Sequence, residues 1–526
     1  MVILFAFIIN LERQNMYGIP SGRTRRLQFA ATVFASTLAA LGAGGAQAGV
    51  TGFAGISQYD TAALARNFIP PDTMGAVGTT QYMEFVNGAV AVYDKATQTR
   101  TQLLSDVAFW ANAGQTGAFG DSRVLFDHAS QRWIALSFGA AVSDIQIAVS
   151  QTSNATGAWK SVKFTGFAGG TADYPTLGMD GSGVYIGTNN FAPNFKGTSL
   201  FSIPKADLFA AAPTLANITR FDQIVTSPDG GVTIVDPNRR GFVYQGAVDN
   251  SNAGGNGTIV SIDFFTNSFD KFNVLNPGAA GATLSASQVI NSPLYNNLNK
   301  GHQPDGTVAL DTLDDRLSSN VYKLGNKLYA VHTEGGVGAF TGHTVAHWFV
   351  FDATSGAILD QGVIGNAAYD FFQGSIAVNS LGQVLIGYNR VGAGVDGNAS
   401  FLATSFITGA AGLLVRTSEV VLKAGLVGDY HCYLHNTPPN GCRERWGDFG
   451  TVTVDPTDQS FWTVGEFTRE YNDAAGGHPG GSGGSRWGTW IAHATFDANG
   501  AIPEPETLAL LGLGLVGIGA MRRRKR

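Results

Sequence analysis

Apolar and polar positions alternate along most of the chain in short runs, punctuated by clusters of Gly, Asp, Asn, Ser and Pro. A period of two over short runs is the mark of strands, and the punctuating residues are turn formers. The clearest unit spans 173–190. An apolar strand leads into a turn at Asp180-Gly-Ser-Gly183, and a second strand, Val184–Thr188, follows. The same grammar predicts hairpins over 73–86, 123–138, 174–188, 232–246, 320–332, 375–388 and 449–467. Their turns fall at Gly78, Asp127, Asp180, Asp236, Gly325, Asn379 and Asp455. Third strands are predicted at 89–93, 145–151, 199–204, 258–265, 348–351, 400–406 and 487–496. Fourth strands follow six of them, at 100–104, 159–164, 218–223, 269–274, 357–363 and 418–422. The seventh set has no fourth strand downstream, and Val50–Ile56 is placed to supply it from the other end of the body and close a ring. The most helix-like run, 204–212, is a turn or two long.

One four-stranded sheet cannot cover both of its own faces, but sheets stacked radially cover one another. The expectation is therefore an all-β, seven-bladed β-propeller over 49–500, with six or eight blades within tolerance. A β-sandwich array or two separate β domains is the competing architecture. The body is broadly similar to secreted bacterial propellers. It lacks the Gly-His…Trp-Asp signature of WD40 repeats, a regular Kelch pattern and the Ser-x-Asp-x-Gly-x-Thr-Trp box of sialidase-like propellers, so no family's functional residues carry over. Turn spacing widens near 274–316 and 391–447, marking insertions of the kind that build a binding face.

Composition supports strands: 14% of the 526 residues are charged, 69 are Gly and 11% are aromatic. The net charge of −6 conceals a sorting. Residues 1–48 and 501–526 together hold nine of the 33 basic and three of the 39 acidic residues. That leaves 24 against 36, or −12, in 49–500. An acidic body has no basic face with which to displace counterions, which argues against a nucleic-acid partner.

The ends carry addresses rather than fold. Arg23, Arg25 and Arg26 precede an apolar run from Leu27 to Leu41 and then Ala46-Gln-Ala48. This is the three-part form of a secretory signal peptide with Gly49 as mature start. Residues 1–15 fit badly before it, and Met16 is the expected initiator. At the other end, Pro503-Glu504-Pro505 is followed by the apolar run Leu508–Met521 and by Arg522-Arg-Arg-Lys-Arg526. The run is shorter than the roughly 20 residues of a full span, and the cations hold its end in the cytoplasm. This tail resembles the PEP-CTERM sorting signal of Gram-negative bacteria that make exopolysaccharide. The resemblance implies an exosortase-type processing enzyme as partner. It also implies a precursor anchored in the inner membrane by a C-terminal helix, then delivery to the cell surface or matrix.

Candidate chemistry is sparse. Cys432 and Cys442 flank a turn-forming stretch and suit a disulfide in an oxidising compartment; zinc with His431 or His435 is the sharper alternative. The second insertion also holds Arg445 and Trp446, the candidate sugar platform. Asp448, Glu466 and Glu470, near strand ends of the last blade, are the candidate carboxylates for glycan hydrolysis. His343 and His347 share one face of an extended strand but lack an evident third metal ligand. Asp311, Asp314 and Asp315 lack a calcium-loop pattern, and the glycine-rich 476–484 lacks the features of a phosphate cradle. No cofactor or metal is expected. The chain reads as an exported propeller with a binding or structural role in an exopolysaccharide-associated envelope layer. A secreted glycan-active hydrolase and a protein-binding adhesin are the alternatives.

Overall fold

The computed structural model describes residues 49–118, 120–222, 241–263, 268–292, 300–304, 306, 309–428, 430, 444–471, 485–497 and 499–502. Among them, seven antiparallel sheets of four or five strands follow one another along the chain. The protein is a seven-bladed β-propeller. Blades 1 and 2 illustrate the plan: Met74–Val77, Gln81–Val86, Ala89–Asp94 and Thr99–Ser105, then Arg123–Asp127, Arg132–Phe138, Asp144–Ser150 and Trp159–Thr165. Each blade meanders outward from an innermost strand. The inner strands are buried on both faces: every residue of Arg123–Asp127 and of Ala89–Tyr93 is buried. This is why they read as nearly continuous apolar runs. Only the outermost strands show exposure alternating along them, as in Ile358–Ile364.

Short side chains of Asp and Asn shape the rim formed by the first turn of several blades. Asp180 Oδ1 accepts Ser182 N at 2.7 Å and Gly183 N at 2.9 Å. Asn379 Oδ1 accepts Leu381 N and Gln383 N, both at 3.0 Å. The same rim ties neighbours together, through Lys205 Nζ to Asp127 at 2.8 Å and Lys95 Nζ to Asp455 at 2.6 Å.

Six of the seven hairpins stand where alternation places them. Blade 4 is shifted by one strand. Its innermost strand is Phe242–Gly246, paired with Gly257–Asp263 and then Ser268–Leu275. The turn expected at Asp236 lies outside the described residues. The strands expected third and fourth, over 258–265 and 269–274, stand second and third as Gly257–Asp263 and Ser268–Leu275. Outer strands Thr283–Leu284 and Gln288–Asn291 occupy part of the expected first insertion. What remains of the two insertions meets: Leu310–Asp311 pairs in parallel with Glu444–Arg445. Gln303 also exchanges two hydrogen bonds with the Tyr430 backbone, at 2.8 and 2.7 Å.

The ring closes as the unmatched seventh set requires. Gly49–Ser57 pairs with Ser485–Thr495 as the outer strand of blade 7. A buried carboxyl latches this seam to blade 1: Glu84 Oε2 accepts Ile56 N at 2.9 Å and the Tyr93 hydroxyl at 2.8 Å. Its Oε1 meets the Thr489 hydroxyl. Thr489 has one hydroxyl proton, and the Ile56 carbonyl 2.9 Å away can only accept it. Its single proton therefore serves only one of the two acceptors, Glu84 Oε1 or the Ile56 carbonyl, at a time. Burial pushes Glu84 up to about 7 against the pull of its hydrogen bonds from Thr489, Tyr93 and Ile56.

Among the described residues, no helix is long and apolar enough to cross a membrane. The apolar run 508–521, the expected leader 1–48 and the glycine-rich 476–484 lie outside them.

Carboxylates at the axial mouth

Where the chain enters an innermost strand it carries an aspartate in several blades. Asp72 stands two residues before Met74, and Asp121 two before Arg123. Asp173 ends the short strand Thr171–Asp173, five residues before Gly178–Met179, and Asp448 stands three before Thr451. Radial stacking converts this repeated position into a cluster at one end of the axis. Asp72 and Asp121 both adopt left-handed backbone, at φ 51°, a conformation that Asp tolerates better than most residues.

Hydrogen bonds string three blades together there. The Asp448 amide donates to Asp72 Oδ1 at 2.8 Å, and Asn87 Nδ2 donates to Oδ2 at 2.6 Å. Asn87 Oδ1 in turn accepts the Asp121 amide at 2.9 Å. Asp72 is only 2% exposed and has a protein donor on each oxygen, so it is a strut and cannot reach a ligand. Burial and then Asp448 push it up to about 7. Asp121 and Asp173 are only partly buried. Burial drives Asp121 well above the usual carboxylate range, and Asp72, Asp173 and Asp448 add to the shift. Burial likewise raises Asp173, although Arg316 opposes it.

Arginines face these acids. Arg445, with 42% of its side chain exposed, binds Asp448 Oδ1 at 3.1 Å. Arg316 is held by Asp314 through two 2.6 Å bonds and lies over Tyr174, 4.3 Å from the ring centroid. Beneath them, buried Arg123 plugs the axis. Its Nε donates to the Pro175 carbonyl at 2.9 Å, and Nη1 lies 3.6 Å from Met74 Sδ and 3.5 Å from the Ser318 carbonyl. The guanidinium stacks 3.5 Å from the centroid of Phe449. One side chain thus touches the entries to four other blades.

The structure brings Arg445 and Asp448 into this mouth. Glu466 lies under it, 1% exposed, accepting Thr73 Oγ1 at 2.8 Å. Burial raises it well above its ordinary value, with Asp72 and Asp448 contributing. Glu470 sits apart: it is half-buried, pairs with Arg469 at 3.1 Å, and has Arg486 as its other charged influence. Trp446 is fully buried, edge-on to Tyr430 with centroids 4.8 Å apart, and leaves no ring face open to a sugar. Cys432, Cys442 and Pro503-Glu504-Pro505 lie outside the described residues. Asp72, Asp121, Asp173, Arg123 and Arg316 escaped sequence reasoning. A signal for them existed: Asp121, Asp173 and Asp448 stand six or seven positions before the turn residues Asp127, Asp180 and Asp455.

His343 and His347 part company. His343 Nδ1 lies 3.3 Å from Asp370 Oδ1, and His302 Nδ1 lies 2.7 Å from Oδ2. His347 Nδ1 lies 2.7 Å from Glu334 Oε1, next to His332. Asp311, Asp314 and Asp315 do not converge either. Asp311 caps the Leu313 amide and Asp314 holds Arg316. Asp315 is buried and pushed up to about 7 by burial, with help from Asp314 and Glu334.

Residues 501–525 match the family described as the PEP-CTERM protein-sorting motif. The chain carries a PEP-CTERM sorting tail. It is therefore an exported β-propeller whose tail implies exosortase processing at a membrane. No curated protein matches the sequence. Among solved structures, it is similar to quinohemoprotein alcohol dehydrogenase from Comamonas testosteroni at 9% identity and a TM-score of 0.38, over 80% of this chain and 75% of that one. It is also similar to the Dos1 propeller (7%, 0.36, 79% and 75%) and to α-L-arabinanase from Cellvibrio cellulosa (11%, 0.30, 57% and 96%). At these values the comparisons carry no argument about activity.

Proposed function

We propose that this PEP-CTERM protein binds a neutral envelope polysaccharide at its axial mouth and has a binding or structural role in an exopolysaccharide-associated surface layer. The supporting observation is the state of the mouth's acids. Burial and repulsion from neighbouring acids hold Asp121 well above the usual carboxylate range, toward its uncharged form, and the exposed arm of Arg445 is already matched to Asp448. The mouth thus offers hydroxyl-like donors and carbonyl-like acceptors with little free charge, which suits polyols better than ions. In this reading the leader ends at Ala48, translation begins at Met16, Cys432 and Cys442 form a disulfide, and residues 49–500 are the displayed body.

Glycan-array binding of the exported protein is the test. Asp121→Ala is expected to weaken the best neutral glycan about tenfold, the value of one well-made hydrogen bond. Equal affinity in the variant, or no neutral glycan bound, overturns the reading. One observation favours hydrolysis as a second reading: an acid held above the usual carboxylate range, Asp121, stands near Asp448, which an arginine holds. Reducing-end release from a bound glycan, lost by about a hundredfold or more in Asp121→Asn while binding persists, would establish it.

A further inference from the structure

Glu334 and His332 lie on one face of the strand Lys327–Gly335, and His347 faces them from the neighbouring strand Thr344–Asp352, in register with His332. That face turns toward blade 4, where Phe269 packs against His332 at 5.4 Å. All three side chains are buried, with 0, 6 and 7% of their surface exposed. Charge in so dry a place is costly unless something neutralises it.

The hydrogen bonds fix what each group offers. His332 Nδ1 lies 2.8 Å from the Asp315 carbonyl oxygen, which can only accept, so Nδ1 carries the proton and Nε2 presents a lone pair. A backbone carbonyl on the far nitrogen is the usual way a metal-binding imidazole is aimed. The lone pair points at Glu334 Oε2, 3.7 Å away. That oxygen is buried and receives no hydrogen bond. A proton shared between the two atoms would draw them within about 3 Å. A metal ion between them, with bonds of ~2.1 Å, spans 3.7 Å at an open tetrahedral angle. One ligand atom from each of the three residues lies within 4.8 Å of the others, close enough for small ring rotations to complete the set.

The other histidine pair differs in the respect that matters. Asp370 accepts the amides of His302 and Thr344 at 2.8 and 2.9 Å, besides the two imidazoles. Both of its oxygens are in use, so that cluster is a satisfied polar knot.

We propose that His332, Glu334 and His347 bind a divalent transition-metal ion, with zinc the metal matched to two imidazoles and a carboxylate, as a structural rivet within blade 5 at its contact with blade 4. The site is closed to solvent, so its role is to hold the blade and not to catalyse.

Metal analysis of the full exported chain after exhaustive dialysis is expected to find about one equivalent of zinc, or of iron(II) taking its place. Chelation should lower the melting temperature by several degrees, and added zinc should restore it. Glu334→Gln keeps the volume of the side chain. It is expected to fold, to hold at least tenfold less metal, and to melt at the same temperature with zinc or EDTA; His347→Gln should do likewise. Protein that is metal-free as isolated and unmoved by zinc overturns the site, as does a Glu334→Gln variant with undiminished metal content. Glycan binding is read separately, so either conclusion can fail without the other.

Discussion

Glu84→Ala is expected to destabilise the protein by about 4 kcal/mol, because it strips the seam between the first and last blades of a buried acceptor that both share. The Ile56 amide and the Tyr93 hydroxyl would both be left buried without their partner, and a cavity would add to the loss. Glu84→Gln should behave differently. Its oxygen can take the two donors, and its amide can face Thr489. At pH 5 it should lie within about 1 kcal/mol of the parent. The order should reverse in alkali. A carboxyl raised to about 7 in the folded state holds its proton longer than the unfolded chain does. Its contribution is complete below the ordinary carboxylate pKa and drains away as pH climbs through 7, at up to roughly 1.4 kcal/mol per pH unit. Glu84→Gln abolishes that slope, so it should be the more stable protein at pH 8. Urea melts at pH 5 and pH 8, followed by tryptophan fluorescence, decide the matter; parallel parent and Gln curves at the two pH values would contradict the latch.

Arg123→Ala should cost a similar amount, about 3–5 kcal/mol, for a different reason. Its guanidinium is the common partner of Pro175, Ser318 and the Phe449 ring, so its removal empties the axis and loosens four blade entries together. Arg123→Lys keeps the charge but loses the flat stack and the directed Nε bond, and should fall between parent and alanine variant. The urea midpoint should move with little change in slope, since the surface exposed on unfolding is nearly the same. Asp121, whose charged form Arg123 favours, should become still harder to ionise. If Lys matched the parent, charge alone would be holding the centre.

The sequence announces strands well because the inner ones are buried on both sides and the turns are built by Asp and Asn side chains. It even shows the seam, through a seventh set one strand short. Blade 4 slipped because Phe242–Gly246 reads equally well as either arm of a hairpin. Arg445, Asp448 and Glu466 were legible as charged residues near strand ends. Their meeting with Asp121 and Asp173 was not, because those residues belong to different blades and only circular closure makes them neighbours. Trp446 misled for a general reason: an aromatic beside arginines in a loop looks exposed until a second insertion covers it. His343 and His347 are four residues apart, yet each was completed by residues whose approach no linear spacing reveals.

The Gly49 amide bonds to Thr495 across 446 positions of chain. A polypeptide that emerges amino end first must therefore wait for nearly its whole length before this first strand finds its mate. Until then the first and last sheets each lack a neighbour on one flank, and the ring stays open. Closure of the circle is thus timed by the synthesis of its last blade.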